Sequence, residues 1–202
     1  MPTRIDLGAG RGVQSVLITN TSAHAVTVET QVMVWPEDAP GQQANDIVVT
    51  PAVLTLPPNQ RMRVRIGLLR PVGGDIERAY RLYITELMAP ASLQGAGIGV
   101  RLRIGIPLFV APPQPQAQPL QWSAYREANA WFLKVRNEGN VHALATKPVL
   151  LSADGPSAIP LPSSYVMANS SLTVAITGSV TSGTRVRWLD GDTERESALA
   201  LP

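Results

Sequence analysis

The stretch GIGVRLRIGIPLFVAPP, from Gly97 to Pro113, decides how the chain reads. Its aliphatic residues Ile98, Val100, Leu102, Ile104, Ile106, Leu108 and Val110 fall at every second position, the period of a β-strand with one apolar face. Directly after it, APPQPQAQPL from Ala111 to Leu120 repeats proline. Proline removes backbone donors and favours extended chain, so this segment reads as a short semi-rigid linker.

The residues before the long strand alternate in the same way. RIDL near Arg4, VQSVLITN from Val13 and VTVETQVMVW from Val26 to Trp35 are bounded by Gly, Asn, Ser or Pro, the usual punctuation between strands. RMRVRIGL sets Met62, Val64, Ile66 and Leu68 against Arg61, Arg63 and Arg65, as a half-buried antiparallel strand does. In RAYRLYITEL, Tyr80, Leu82 and Ile84 alternate with Arg81, Tyr83 and Thr85, and the loop MAPASLQGAG, which composition makes mobile, leads to the opening strand. Strand-like segments at this density over roughly a hundred residues match an immunoglobulin-like sandwich. Past the linker, QWSAYRE, AWFLKVRN, HALATKPVLLS, SLTVAITG and TRVRWLD alternate between turn clusters and predict a second, smaller sandwich. A helical turn fits only at Asp75 to Arg78.

Composition agrees with an all-β chain. At 202 residues and 45% hydrophobic content it can bury a real core, while 16 glycines and 18 prolines disfavour long helices. The absence of cysteine removes disulfides, thiolate metal sites and a cysteine nucleophile. A net charge of +2 gives little pull on a polyanion, and no apolar run approaches the roughly 20 residues of a spanning helix, so neither nucleic acid nor membrane insertion is expected. Lys134 and Lys147 are the only lysines, so an anion site in the first half must use arginine or backbone donors.

Catalytic signatures are missing. His24 and His142 lie at strand-to-turn junctions without a neighbouring ligand set, which favours loop or packing roles over a metal site. The Gly95, Gly97 and Gly99 cluster precedes a strand instead of opening a helix, which contradicts a dinucleotide site. Asp190, Gly191 and Asp192 read as a hairpin turn, and the sequons at Asn20 and Asn169 carry little weight. The Arg61, Arg63 and Arg65 ladder lacks interleaved aromatics and reads as a solvated sheet face. No cofactor is expected, and an enzyme ranks behind a binding protein.

PTRIDL, YRLYITEL, GVRLRIGIPLFVAP, the proline-rich hinge and WFLKVRNEGNVHA together resemble the periplasmic pilus chaperones of chaperone-usher systems, over essentially the whole chain. The resemblance implies two immunoglobulin-like domains, 1–112 and 113–202 with a hinge at about 111–119, set at an angle around a cleft. It also implies a periplasmic chaperone that completes pilin subunits lacking a strand and delivers them to an outer-membrane usher. Strand addition supplies the affinity: main-chain hydrogen bonds satisfy an open edge while alternate side chains fill pockets. Before a subunit arrives, such a ladder invites weak self-association.

In the family this strand ends like Ile-Lys-Leu-Phe-Tyr-Arg-Pro, which lies over Ile106 to Pro112. The lent residues then fall on Ile98, Val100, Leu102 and Ile104, with Ile106 and Leu108 left to the chaperone's own core. The family's Arg and Lys, which grip the subunit's C-terminal carboxylate, fall on Arg4 and on Pro107. This departure resembles the archaic branch, and Arg81 on the neighbouring strand is the expected second cation. Ala111 replaces an arginine able to join an interdomain ion pair, leaving Pro112, Pro113 and Pro115 to set the hinge. The competing reading is a two-sandwich adhesion or structural pilus protein, but a pilus subunit is expected to carry an N-terminal donor extension ahead of its first strand.

Overall fold

The computed structural model describes residues 3–8, 11–36, 41–70, 73–87, 101–152, 158–177 and 180–201, and among these every regular element is a β-strand. Two compact units emerge: Met1–Gly74 with Arg78–Pro113, and Asp75–Glu77 with Gln114–Pro202. Each is an immunoglobulin-like β-sandwich. Asp75 to Arg78, where a helical turn fitted the sequence, is bent chain and not helix.

The first unit contains β1 (Ile5–Leu7), β2 (Val13–Thr19), β3 (Val26–Val34), β4 (Ile47–Thr50), β5 (Val53–Leu56), β6 (Arg61–Leu68), β7 (Arg78–Leu87) and β8 (Arg103–Val110). One sheet runs β1-β8-β7-β3-β5 and the other β2-β6-β4. Alternation decides which side chains lie between them. From β6 come Val64 and Ile66, from β7 Tyr80, Leu82 and Ile84, and from β8 Ile106 and Leu108, all buried in one cluster. Arg61, Arg63 and Arg65 face outward, as their period requires. Met62 shares the parity of the core residues but lies near the start of β6 and stays exposed. At one margin of the core the Tyr80 hydroxyl donates to Asp46 (2.7 Å), which also pairs with Arg78. Burial, reinforced by that hydrogen bond, pushes the Tyr80 hydroxyl well above its ordinary range, so it remains a donor.

The second unit contains β9 (Gln121–Glu127), β10 (Ala130–Asn137), β11 (Ala143–Leu151), β12 (Ala158–Pro160), β13 (Ser164–Val166), β14 (Ser170–Ile176), β15 (Arg185–Asp190) and β16 (Thr193–Ala198). A sheet β14-β10-β9 faces a sheet β12-β11-β15-β16, with β13 also on β11. Its core is built around Trp122 and Trp188, whose rings meet at 5.4 Å. The Asp190 to Asp192 cluster is the turn of the β15–β16 hairpin: Asp190 pairs with Thr193, and Gly191 takes a φ of 59°, which glycine accepts without strain. Residues 75–77 complete this unit. Glu77 lies almost buried against His142, its Oε2 accepting the His142 backbone N–H at 2.7 Å and standing 2.7 Å from the ring Nδ1. His142 is therefore a packing residue whose partner is remote in sequence.

One asparagine pins each sandwich. Asn20 Nδ2 donates to the carbonyls of His24 and Leu56, and its Oδ1 accepts the Ser22 N–H. In the second unit, Asn137 Nδ2 donates to the carbonyls of Val141 and Val166, and its Oδ1 accepts the Gly139 N–H. Both side chains replace backbone partners for a turn that folds over the sandwich end. Removing either leaves several buried groups unpaired. Asn137→Ala is expected to destabilise the second sandwich by on the order of 2–4 kcal/mol, read as a lowered urea midpoint of the Trp122 and Trp188 fluorescence transition.

Candidate functional site

Strand β8 has unequal flanks. Along one side it pairs with β7 from Arg103 to Val110, antiparallel. Along the other, β1 pairs with it in parallel over only three positions, Ile5↔Leu108, Asp6↔Phe109 and Leu7↔Val110. Among the described residues, no strand lies beside Arg103 to Pro107 on that side. Residues 103–107 therefore form an open edge.

Two hydrogen bonds fix which backbone groups face it. Glu86 N–H donates to the Leu102 carbonyl, on the β7 side, and Ala111 N–H donates to the Leu7 carbonyl, on the β1 side. Backbone direction alternates along a strand, so the polar groups of Arg103 and Gly105 and the Pro107 carbonyl point to the open side. The donor that Pro107 lacks would have pointed there too, so proline costs no bond to β7. This placement is the edge position that proline tolerates.

Side-chain parity divides the ladder. Leu102, Ile104, Ile106 and Leu108 share one face, but exposure falls steeply along it: Leu102 is 57% exposed, Ile104 is half-buried, and Ile106 and Leu108 are at 3% and 0%. The core thus takes Ile106 and Leu108, Ile104 packs at its margin, and Leu102 is left exposed. Leu102 and Ile104 border a groove of about 260 Å³ that both sheets line, through Ile18 on one side and Leu56 and Ile84 on the other. Ile98 and Val100, also expected to be lent, lie outside the described residues, as does the whole MAPASLQGAG loop.

The outer face of the same sheet collects the cations. Arg81 is the register partner of Pro107 on β7. Arg4 directly precedes Ile5, the register partner of Leu108, so the chain enters β1 next to the Pro107 step on the other flank. Arg4 and Arg81 thus approach the Pro107 step from its two sides. Arg4 Nε donates to Asp6 at 3.0 Å on the exposed surface. Arg81 lies differently: its guanidinium sits 4.3 Å from the centre of the Trp35 ring, and its buried Nε has no hydrogen-bond partner among the described residues.

Sequence reasoning did not find the aromatic surroundings of Arg81. Trp35 packs on Phe109, their ring centres 5.9 Å apart, and a second stack places Arg103 3.8 Å from the Tyr83 ring. Between the two stacks lies Gly105, where an added Cβ would come within 3.0 Å of Arg81 Cδ and of Tyr83 Cε1. No local motif announces these contacts, because they join residues of three strands.

Among the described residues no group of three or more His, Asp or Glu side chains could hold a metal ion. The chain matches the family model described as pili and flagellar-assembly chaperone, PapD N-terminal domain, over residues 1–116. No curated protein sequence matches it. Its fold is similar to that of the CsuC–CsuE chaperone and tip adhesion subunit pre-assembly complex from archaic chaperone-usher Csu pili of Acinetobacter baumannii, with a TM-score of 0.74 at 20% identity, covering 100% of this chain and 97% of that one. The CupB2 chaperone of Pseudomonas aeruginosa aligns with a TM-score of 0.72 at 21% identity, covering 100% and 98%. For the Salmonella enterica SafA pilin complex with the SafB chaperone the values are 0.72 and 17%, covering 98% and 93%.

The division of the ladder is directly measurable. Leu102→Asp is expected to leave the urea midpoint of the first sandwich within experimental scatter. Leu108→Asp, which buries a carboxylate in the core, should cost roughly 4 kcal/mol or more.

Proposed function

Because the chain belongs to the family of pili and flagellar-assembly chaperones, we propose that it is a periplasmic chaperone that captures incomplete pilin subunits by lending them its β8 edge and passes them to an outer-membrane usher. The observation that carries this reading is the open side of β8 at residues 103–107, continuous with an apolar face whose exposure rises to 57% at Leu102. An incoming strand finds main-chain partners at Arg103 and Gly105 and an apolar row at Leu102 and Ile104, continued in sequence by Val100 and Ile98. Backbone bonds give affinity and alternate side chains give specificity. The likeness to archaic-branch chaperones fits the substitution of proline for the usual lysine.

Pro107 gives that incoming strand a natural end. There the edge offers a carbonyl but no N–H, and from Leu108 onward β1 already occupies the position. A strand terminating at this step places its α-carboxylate between Arg4 and Arg81. The absent backbone donor and the absent lysine are thus replaced by two guanidinium groups, which suit a carboxylate better than a single ammonium does. Arg4 must exchange its exposed Asp6 partner for the subunit, a small loss in water.

Co-expression of the chain with pilins encoded beside a usher tests the proposal. Co-purification of an incomplete pilin is the expected result, and failure to retain any pilin would count decisively against it. Burying one leucine contributes about 1.5–3 kcal/mol, so Leu102→Asp should weaken capture by roughly 10- to 150-fold while the chaperone stays folded. Arg81→Ala should lower capture of a subunit with a free C terminus and leave one extended by several residues unaffected. Equal losses for both would remove Arg81 from the carboxylate site.

A further inference from the structure

We propose that Trp35 and Gly105 are positioning residues for Arg81: Trp35 holds the guanidinium plane, and Gly105 keeps open the path by which the arginine stem reaches it. The inference deepens the carboxylate-site reading above and rests on it.

An arginine on the face of a sheet ordinarily reaches outward into water and samples many rotamers, and ordering it has a cost in entropy. Arg81 does not reach outward. Its Cδ and Cγ lie 3.0 and 3.4 Å from the place a Gly105 Cβ would fill, and its guanidinium lies 4.3 Å from the Trp35 ring centre. A methyl group at 105 would press on Arg81 Cδ and Tyr83 Cε1, each 3.0 Å away, so that the arginine stem would have to give by a few tenths of an ångström. The clearance exists only because the strand carries glycine there.

Trp35 is itself fixed. Its backbone N–H donates to the Ala79 carbonyl at 3.0 Å, and its ring packs on Phe109, the register partner of Ala79. The Trp35 ring lies beneath the guanidinium carbon and attracts its charge. The buried Nε of Arg81 has no acceptor among the described residues. A buried donor without a partner is costly, and an acceptor that arrives there recovers that cost. The arrangement therefore favours a planar anion brought to the Pro107 step, where the register places Arg81.

The test uses the full chain and an N-acetylated octapeptide of alternating threonine and valine, with either a free α-carboxylate or a C-terminal amide. The quantity read is the ratio of the two affinities. A charge-assisted pair at Arg81 predicts a preference for the carboxylate of about 10-fold. Trp35→Leu is expected to reduce that preference to about 2-fold with the amide affinity unchanged, and Trp35→Phe, which keeps a ring face, to restore most of it. Gly105→Ala approaches the arginine from the opposite side and should reduce the preference as well, which supplies a second reading if Trp35→Leu fails to fold. Full retention of the preference in Trp35→Leu, or in Gly105→Ala should the former not fold, overturns the proposal. So does a parallel loss of both peptides, which would assign these residues to the fold alone. Arg81→Ala separates the premise: if it keeps the full preference, the carboxylate reading itself falls, whereas loss in Arg81→Ala with retention in Trp35→Leu removes only the positioning role.

Discussion

The unequal pairing of β8 is the constraint on which the rest depends. Its antiparallel bond to β7 spans the whole strand, so β8 is held rigidly in the first sandwich, while β1 covers only its last three residues. Had a strand continued beside the five residues 103–107, the sheet would be closed along this edge. Among the described residues, the short β1 leaves a half-strand paired on one side only. Such an edge needs no reorganisation to accept a partner, which limits the entropy of ordering that association usually opposes.

The two faces of this strand do different work. Toward the interior, Ile106 and Leu108 fasten β8 to the core. On the opposite face, Arg103, Gly105 and Pro107 lead to the buried Phe109, and arginines and aromatic rings interleave along them, with Tyr83 and Arg81 contributed by β7 and Trp35 from just past β3. Stacking desolvates a guanidinium only partly and keeps its charge, so cations can sit close to an apolar ladder without the full cost of burial. By contrast β16, also at a sheet margin, carries Glu194, Arg195 and Glu196 in its TERESA sequence and pairs Arg185 and Arg187 with Glu196. Charges there discourage strand addition, as an edge without a partner requires.

Much of the fold was legible because burial imposes period two. Val64 and Ile66, or Leu82 and Ile84, announce their strands since each second residue must enter the core. The division of the long strand between Ile104 and Ile106 was also readable, but only through a resemblance to a family motif, since alternation continues unchanged across it. Strand β16 has no alternation to read, because its side chains face solvent and are chosen for charge. The short strands β12 and β13 borrow their order from β11. Arg4 and Arg81 could be nominated from sequence, whereas Trp35 and Gly105 could not: the row that gathers them is a product of register, and register between strands far apart in sequence is not written in either strand alone.

The paired asparagines carry a consequence for chemical ageing. Deamidation begins when the following backbone nitrogen attacks the side-chain carboxamide, which must first turn to meet it. Asn20 and Asn137 are each tied at the oxygen by a backbone N–H and at the nitrogen by two or more carbonyls, so that rotation requires several buried bonds to break together. Were the reaction to occur, the new carboxylate would face carbonyl oxygens where an amide once donated, repelling them. The hydrogen bonds that hold each sandwich end closed therefore also slow the reaction that would open it.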